Sequence, residues 1–247
     1  MDLLISIMSN VAIVALIAFV LERKGIVKIN FAWIMVALAL IFLYGVALFN
    51  GGKWIPLNDY FTDLQWNWGG KIAAILLWAL ALFALCLSQK QFKIADAGFT
   101  FKQHRGAVIP SLVVIMFFIV LQLLLSYTLG NGSDYDAEEL WYQATMPGLD
   151  EEPMFRGVLL YIVSLAIVSS RINLLGAQIN VAGLLLVLLF GLIHGLMYNA
   201  GEFHFSLMSM SLTGFYGLVL LWLRERTGSL VFPILAHNLV NFAGQFV

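Results

Sequence analysis

Residues 108–130 read VIPSLVVIMFFIVLQLLLSYTLG and carry no acidic or basic side chain. A helix rises about 1.5 Å per residue and a bilayer's hydrocarbon core is about 30 Å thick, so roughly 20 apolar residues in a row can cross it. The stretch meets that length, and its only strongly polar side chain is Gln122. Working outward, comparable apolar runs lie at approximately 3–21, 31–50 and 70–88 on one side, and at 152–170, 178–198, 205–223 and 229–246 on the other. The breaks between them hold turn or charge signals, such as Glu22-Arg23-Lys24-Gly25, Gly130-Asn131-Gly132-Ser133 and Asn199-Ala200-Gly201-Glu202. The expectation is an all-α, polytopic transmembrane helical bundle of about eight spans.

Composition agrees. The chain is 62% hydrophobic and 11% charged, with a mean hydropathy of +0.93. A soluble domain of 247 residues needs more charge to cover its surface. The net charge of −1 and the lack of a basic run speak against nucleic acid as a partner; the bilayer is the partner implied. The single cysteine, Cys86, excludes an intrachain disulfide and a cysteine-rich metal site. The N-terminal run follows Met1-Asp2 with no basic region before it, so it reads as a retained first span rather than a signal peptide. One integrated membrane domain is expected: four spans over 1–130, an acidic loop over 131–146, and a core of four spans over 147–246.

Basic residues in short loops set orientation. With the N-terminus outside, ten of them fall on the cytoplasmic side (Arg23 and Lys24 through Arg224 and Arg226), against Lys53 and Lys71 outside. Both termini are then outside. The outer loops are acidic and aromatic, with Trp66, Trp68, Asp134, Asp136, Glu138, Trp141 and Tyr142. The small size and lean loops suggest a prokaryotic plasma membrane.

Ionisable groups inside spans cost about 2.5–3.5 kcal/mol each on insertion scales and tend to face the protein interior. Three clusters occur in the last 100 residues. The first is Glu151, Glu152 and Arg156 in DEEPMFRG, where Glu152 and Arg156 stand i,i+4 and can pair. Acidic residues followed by Pro153 also suit a first helical turn, so a helix start explains the same residues. The second is Phe190 and His194 in FGLIHG, where Gly191 and Gly195 also form a helix-packing GxxxG. The third is His237, Asn238 and Asn241 in LAHNLVN, with Gln245 one turn on; an interhelical hydrogen-bond stripe is its plain reading. In the N-out topology all three reach similar depth. A buried glutamate and a histidine can activate water, and a second histidine with an amide donor can stabilise an oxyanion. Glu151, His194 and His237 can alternatively hold a divalent metal such as zinc, with one position open to water. No His-Glu-x-x-His and no Gly-x-Ser-x-Gly is present, and every aspartate falls in a terminus or loop of this reading.

EEPMFRG, FGLIH and HNLVN, in this order on separate spans, resemble the CPBP family of intramembrane proteases, which includes type II CAAX prenyl endopeptidases and Abi or bacteriocin-immunity proteins. RTGSLVFPILAH, from Arg226 to His237, is similar to the family's approach to its last motif. The resemblance covers roughly 147–245. It implies that Glu151 activates water with His194, that His237 and Asn241 form an oxyanion hole, that Glu152 and Arg156 are a supporting ion pair, and that Phe190 packs the site. Both metalloprotease and metal-free glutamate chemistry are compatible with that set; the metal-free form is favoured, since asparagine is a poor zinc ligand. The charge rule places the site nearer the outer face, whereas a CAAX terminus arrives from the cytoplasm, so a peptide or membrane-protein substrate is expected. A non-catalytic immunity or scaffold protein is the alternative. A proton-coupled transporter ranks below it, as no inverted repeat is visible.

Overall fold

The computed structural model describes residues 2–129 and 136–246. The Gly130–Ser133 turn and Asp134 of the acidic loop lie outside them. In chain order the elements are α1 Asp2–Arg23, β1 Lys28–Ile29, α2 Phe31–Trp54, α3 Leu57–Tyr60, α4 Trp68–Ser88, α5 Val108–Leu129, α6 Ala137–Glu152, a π-helical turn Pro153–Leu159, α7 Leu160–Ala166, β2 Ile167–Val168, β3 Arg171–Leu174, β4 Ala177–Asn180, α8 Val181–Gly195, β5 Leu196–Asn199, β6 Glu202–Phe205, α9 Leu207–Thr227, α10 Val231–Ala243 and a closing 3-10 turn. The protein is a helical integral membrane protein. Among the described residues, five helical segments are long and apolar enough to cross a bilayer: α1, α2 with α3, α4, α5 and α9.

The other three expected spans take shorter forms. The run near 178–198 becomes α8, 15 residues long, with a β-hairpin at each end. Both hairpins turn on two residues of positive φ, Leu175 (49°) with Gly176 (86°) and Ala200 (52°) with Gly201 (92°). Left-handed φ at both central positions is the twist that joins antiparallel strands through two residues. The run near 229–246 becomes α10, of 13 residues. The run near 152–170 does not begin a helix at 152. α6 starts at Ala137, where the Asp136 side chain accepts a hydrogen bond from the Glu139 N–H at 2.7 Å. Glu151 and Glu152 are therefore its last residues, and Pro153 opens the π turn. Proline has no N–H for the i−4 carbonyl and crowds it, and a π turn loosens that constraint. The first-turn explanation for the acidic pair is thereby overturned.

The chain divides into two compact units, each built from two segments. The first holds Met1–Gly45 and Leu159–Glu225. In it α1 packs on α8 and β5, β1 pairs with β2, and the glycines of the GxxxG meet α9: a Cβ on Gly191 would lie 2.8 Å from the Met210 carbonyl, and one on Gly195 2.8 Å from the Met210 Cα. Its core includes Ala18, Leu40, Val163, Leu185, Leu189 and Leu220.

The second unit holds Val46–Val158 and Arg226–Val247. α10 packs against α5 and α6, and α4 against α6. Close approach is made possible by glycine. A Cβ on Gly148 of α6 would fall 2.7 Å from the Ile234 carbonyl of α10, and one on Gly51 of α2 would fall 2.7 Å from the Gly70 Cα of α4. The start of α4 is capped by Asn67, whose side chain accepts from the Gly70 N–H at 3.0 Å.

Candidate active site

The second unit gathers a buried chain of charges on three helices. α6 presents three consecutive carboxylates, of Asp150, Glu151 and Glu152; consecutive positions point about 100° apart round a helix, so the three meet different partners. Glu152 is fully buried, and its Oε1 accepts from the Arg156 guanidinium at 3.0 Å and from His237 Nδ1 at 2.7 Å. The i,i+4 pairing expected of Glu152 and Arg156 is present. Glu151 accepts from the Lys71 ammonium at 2.7 Å through Oε1. Its other oxygen, Oε2, lies 4.0 Å from His237 Nε2. Lys71 also donates to Asp150 Oδ2 at 2.9 Å.

Lys71 and Asp150 correct the sequence reading. Lys71 is a buried residue of the first turn of α4, not a loop cation, and Asp150 lies inside α6 with no exposure, not in a loop. One signal pointed to each of them: a lone charge just inside an apolar run, Lys71 at the mouth of 70–88 and Asp150 beside the glutamates. Neither pattern names its partner, which is 79 residues away in the chain.

His237 is held by α10, and the helix is set by its neighbour. Asn238 Oδ1 accepts from the Gly148 N–H at 2.7 Å, which fixes α10 against α6 where glycine leaves room. Because Glu152 Oε1 also takes the Arg156 donor, it acts as a carboxylate acceptor, and His237 Nδ1 carries the hydrogen. That leaves Nε2 toward Glu151. Asn241, one turn along, donates to Gln143 Oε1 at 3.3 Å, and Gln245 donates to the Asn241 carbonyl. A long amide contact of this kind is weak and easily exchanged. Glu151, Glu152, Arg156, His237 and Asn241 thus come together in one unit.

Phe190 and His194 belong to the first unit. His194 is exposed at the end of α8, and its Nδ1 donates to the Phe190 carbonyl at 2.8 Å. That bond fixes the tautomer, leaving Nε2 as the acceptor. The two rings stand 4.7 Å apart at 51°.

Farther along α6, Glu138 receives the N–H groups of Gln65 (2.8 Å) and Trp66 (2.9 Å) and the Trp68 indole N–H (2.9 Å). Trp66 stacks on Tyr142 at 4.9 Å, and Trp68 meets the same ring edge-on at 5.2 Å. Burial pushes the Glu138 carboxyl up, but the N–H groups of Trp66 and Gln65 and the Trp68 indole outweigh it and hold it below the ordinary carboxylate value.

A zinc site needs three protein ligands at least. Glu151 and His237 supply two facing donors, and Glu151 is already engaged by the Lys71 cation. Among the described residues no group of three or more histidine, cysteine, aspartate or glutamate side chains is placed to hold a metal ion. Within the second unit, Glu151 and His237 give two of the three ligands that the metal form needs.

Comparison with known proteins gives one match. Residues 137–243 match the family model described as type II CAAX prenyl endopeptidase Rce1-like. The match begins at α6 and ends at α10, and so includes Asp150, Glu151, Glu152, Arg156, Phe190, His194, His237 and Asn241 but not Lys71. No curated protein matches the chain, and no solved structure does.

Proposed function

We propose, from the match of residues 137–243 to the type II CAAX prenyl endopeptidase Rce1-like family model, that this protein cleaves a peptide bond of a membrane-associated or lipidated polypeptide with water activated at Glu151 and His237. The observation that carries this reading is the arrangement of His237: one nitrogen is fixed by the Glu152–Arg156 pair and the other faces Glu151 Oε2 at 4.0 Å. Two acceptors at that separation can both address one water molecule at ordinary hydrogen-bond lengths of about 2.8 Å.

The reaction balances on those groups. The water's O–H proton passes to the Glu151–His237 pair, and the hydroxide oxygen bonds to the carbonyl carbon. As the C–N bond breaks, the pair returns the proton to the departing amine nitrogen, giving a carboxylic acid and an amine. The Glu152 carboxylate supports the imidazolium while it exists and keeps the ring in one orientation. Protonated His237 Nε2 and the Asn241 amide, released from Gln143, serve as oxyanion donors. His194 is included as a catalytic residue by its motif, with Nε2 as its proton-accepting atom.

The test is cleavage of an internally quenched peptide ending in a prenylated cysteine and three further residues, in mixed micelles. Glu151→Gln is expected to lower kcat by about 100-fold or more, the usual contribution of a general base, with the folded state intact by thermal melt. His194→Ala and His237→Ala are expected to follow. If Glu151→Gln cleaves like the wild type, the glutamate is structural and another group activates the water; if the wild type itself does not cleave, the non-catalytic alternative stands.

A further inference from the structure

The β5–β6 hairpin has one covered edge and one open edge. The pair Asn199 and Glu202 closes the two-residue turn, and the Ser206 N–H donates to the Gly195 carbonyl at the other end. In an antiparallel ladder the bonded pairs alternate, so Asn199–Glu202 and Met197–His204 bond to each other. The backbone groups of Tyr198 and Leu196 then point outward from β5, and those of Phe203 and Phe205 outward from β6.

The β5 edge is satisfied by α1. Ser6 Oγ accepts from the Tyr198 N–H at 2.8 Å and shares its one hydrogen between the Asp2 carbonyl (3.0 Å) and the Tyr198 carbonyl (3.3 Å), and Asn10 Nδ2 donates to the Leu196 carbonyl at 3.2 Å. At the hairpin tip the Ala200 N–H donates to the Asp2 side chain at 3.1 Å. No such partner is found for the backbone of Phe203 or Phe205 among the described residues, and both side chains are more than half exposed.

The same contacts fix the depth of that open edge. The hairpin lies along α1 from Asp2 to Asn10, and eight residues of helix are roughly 12 Å. α1 is a 22-residue spanning helix of about 33 Å, so the hairpin base sits well inside its span. α8 is consistent with this: its 15 residues reach about 22 Å, short of a core of about 30 Å, so a crossing there draws on residues of its flanking hairpins as well. α9, which starts level with the hairpin base, carries Arg224 and Glu225 in its last turns, as a helix displaced toward the opposite interface would. Unpaired N–H and C=O groups at that depth cost several kcal/mol each, and an edge exposed there needs a covering strand.

On these grounds we infer that the outer edge of β6 is a strand-addition site for an extended peptide, namely the substrate segment of the peptidase; this rests on the function proposed above. A helical segment hides its peptide bonds in its own hydrogen bonds, and pairing with an edge strand holds a segment open instead. The edge offers a donor and an acceptor at Phe203 and again at Phe205, the two-residue repeat of an extended chain. It also begins beside the motif histidine, since Gly195 follows His194 and bonds Ser206 at the foot of the hairpin.

Two readouts test this in the full chain. First, the prenylated peptide is made with a benzoylphenylalanine photoprobe at each successive position and bound to the Glu151→Gln variant, so that binding is read without turnover. Cross-links to residues 202–205 from every second peptide position are expected; a period of three or four, or none at these residues, overturns the inference. A β6-to-β6 cross-link between two copies overturns it as well. Second, Phe203→Pro and Phe205→Pro each remove one outward N–H and keep the inward N–H groups of Glu202 and His204. Each is expected to raise KM about tenfold or more while kcat stays within about twofold, as one lost hydrogen bond and a steric block are worth 1.4 kcal/mol or more. A proline series with unchanged KM overturns the inference. The two failures are distinguishable: wild-type cleavage with unaltered proline variants sinks strand addition alone. Absence of Glu151-dependent cleavage sinks the proposed function, and the photoprobe pattern still decides whether the edge binds peptide.

Discussion

Lys71 shows how one residue outside the matched family segment shapes the site. Its ammonium is shared between Asp150 and Glu151 at 2.9 and 2.7 Å, and it is nearly enclosed. Breaking a buried ion pair by removing one partner costs about 3–5 kcal/mol, because the remaining charge is stranded. Lys71→Met is therefore expected to lower the melting point and kcat together, with Lys71→Arg recovering part of both; a Met variant that melts and cleaves like the wild type would remove Lys71 from the site. Glu138 gives a pH dependence with a definite sign. Its carboxyl is held below the ordinary value by donated N–H groups, so its contribution is present above the ordinary carboxylate pKa and is lost as pH falls through the lowered one. Acidification through that range should release the Trp66–Trp68 segment from Tyr142, seen as a change in tryptophan emission. Glu138→Gln should show little of that transition.

At the scale of elements, the site depends on how closely α6 and α10 approach. Gly148 is the contact point, with Asn238 Oδ1 on its N–H and the Ile234 carbonyl against its Cα. A methyl group there would stand 2.7 Å from a backbone oxygen, so one helix must move. Gly148→Ala is expected to shift α10, lengthen the His237–Glu152 contact and cost about 1–3 kcal/mol as an overpacking change. Its activity loss should exceed that of Leu149→Ala, an exposed neighbour on the same helix. The three motifs were legible as motifs, and so was the Glu152–Arg156 pair, because i,i+4 spacing is a local property of any helix. The start of α6 was not legible, because Pro153 after two acids is as good a helix entrance as a π-helical interruption. The hairpins beside α8 were also hidden, since a short apolar run is compatible with helix or strand.

For the molecule as a whole, moving Lys71 out of the loops leaves Lys53 as the one basic residue counted outside, against ten on the other side. The proposed N-out orientation is checked in a Cys86→Ser background by placing cysteines at Asn58 and Gln103, which bracket the spanning α4. An impermeant maleimide applied to intact cells should label the first and not the second; the reverse pattern would invert the topology. By itself the sequence determined that this is a helical membrane protein, where most of its spans run, and where its three polar motifs fall in the chain. Those follow from length, hydropathy and local spacing, which each segment carries alone. The tertiary structure decided that Glu151 is shared with Lys71, that His237 is fixed by Glu152, and that one strand edge of the β5–β6 hairpin is left open. Those contacts join residues 79 to 85 positions apart, or strands whose edges are covered from elsewhere in the chain. Helix packing through glycines sets such distances, and no periodicity in the sequence encodes which helix the packing will bring.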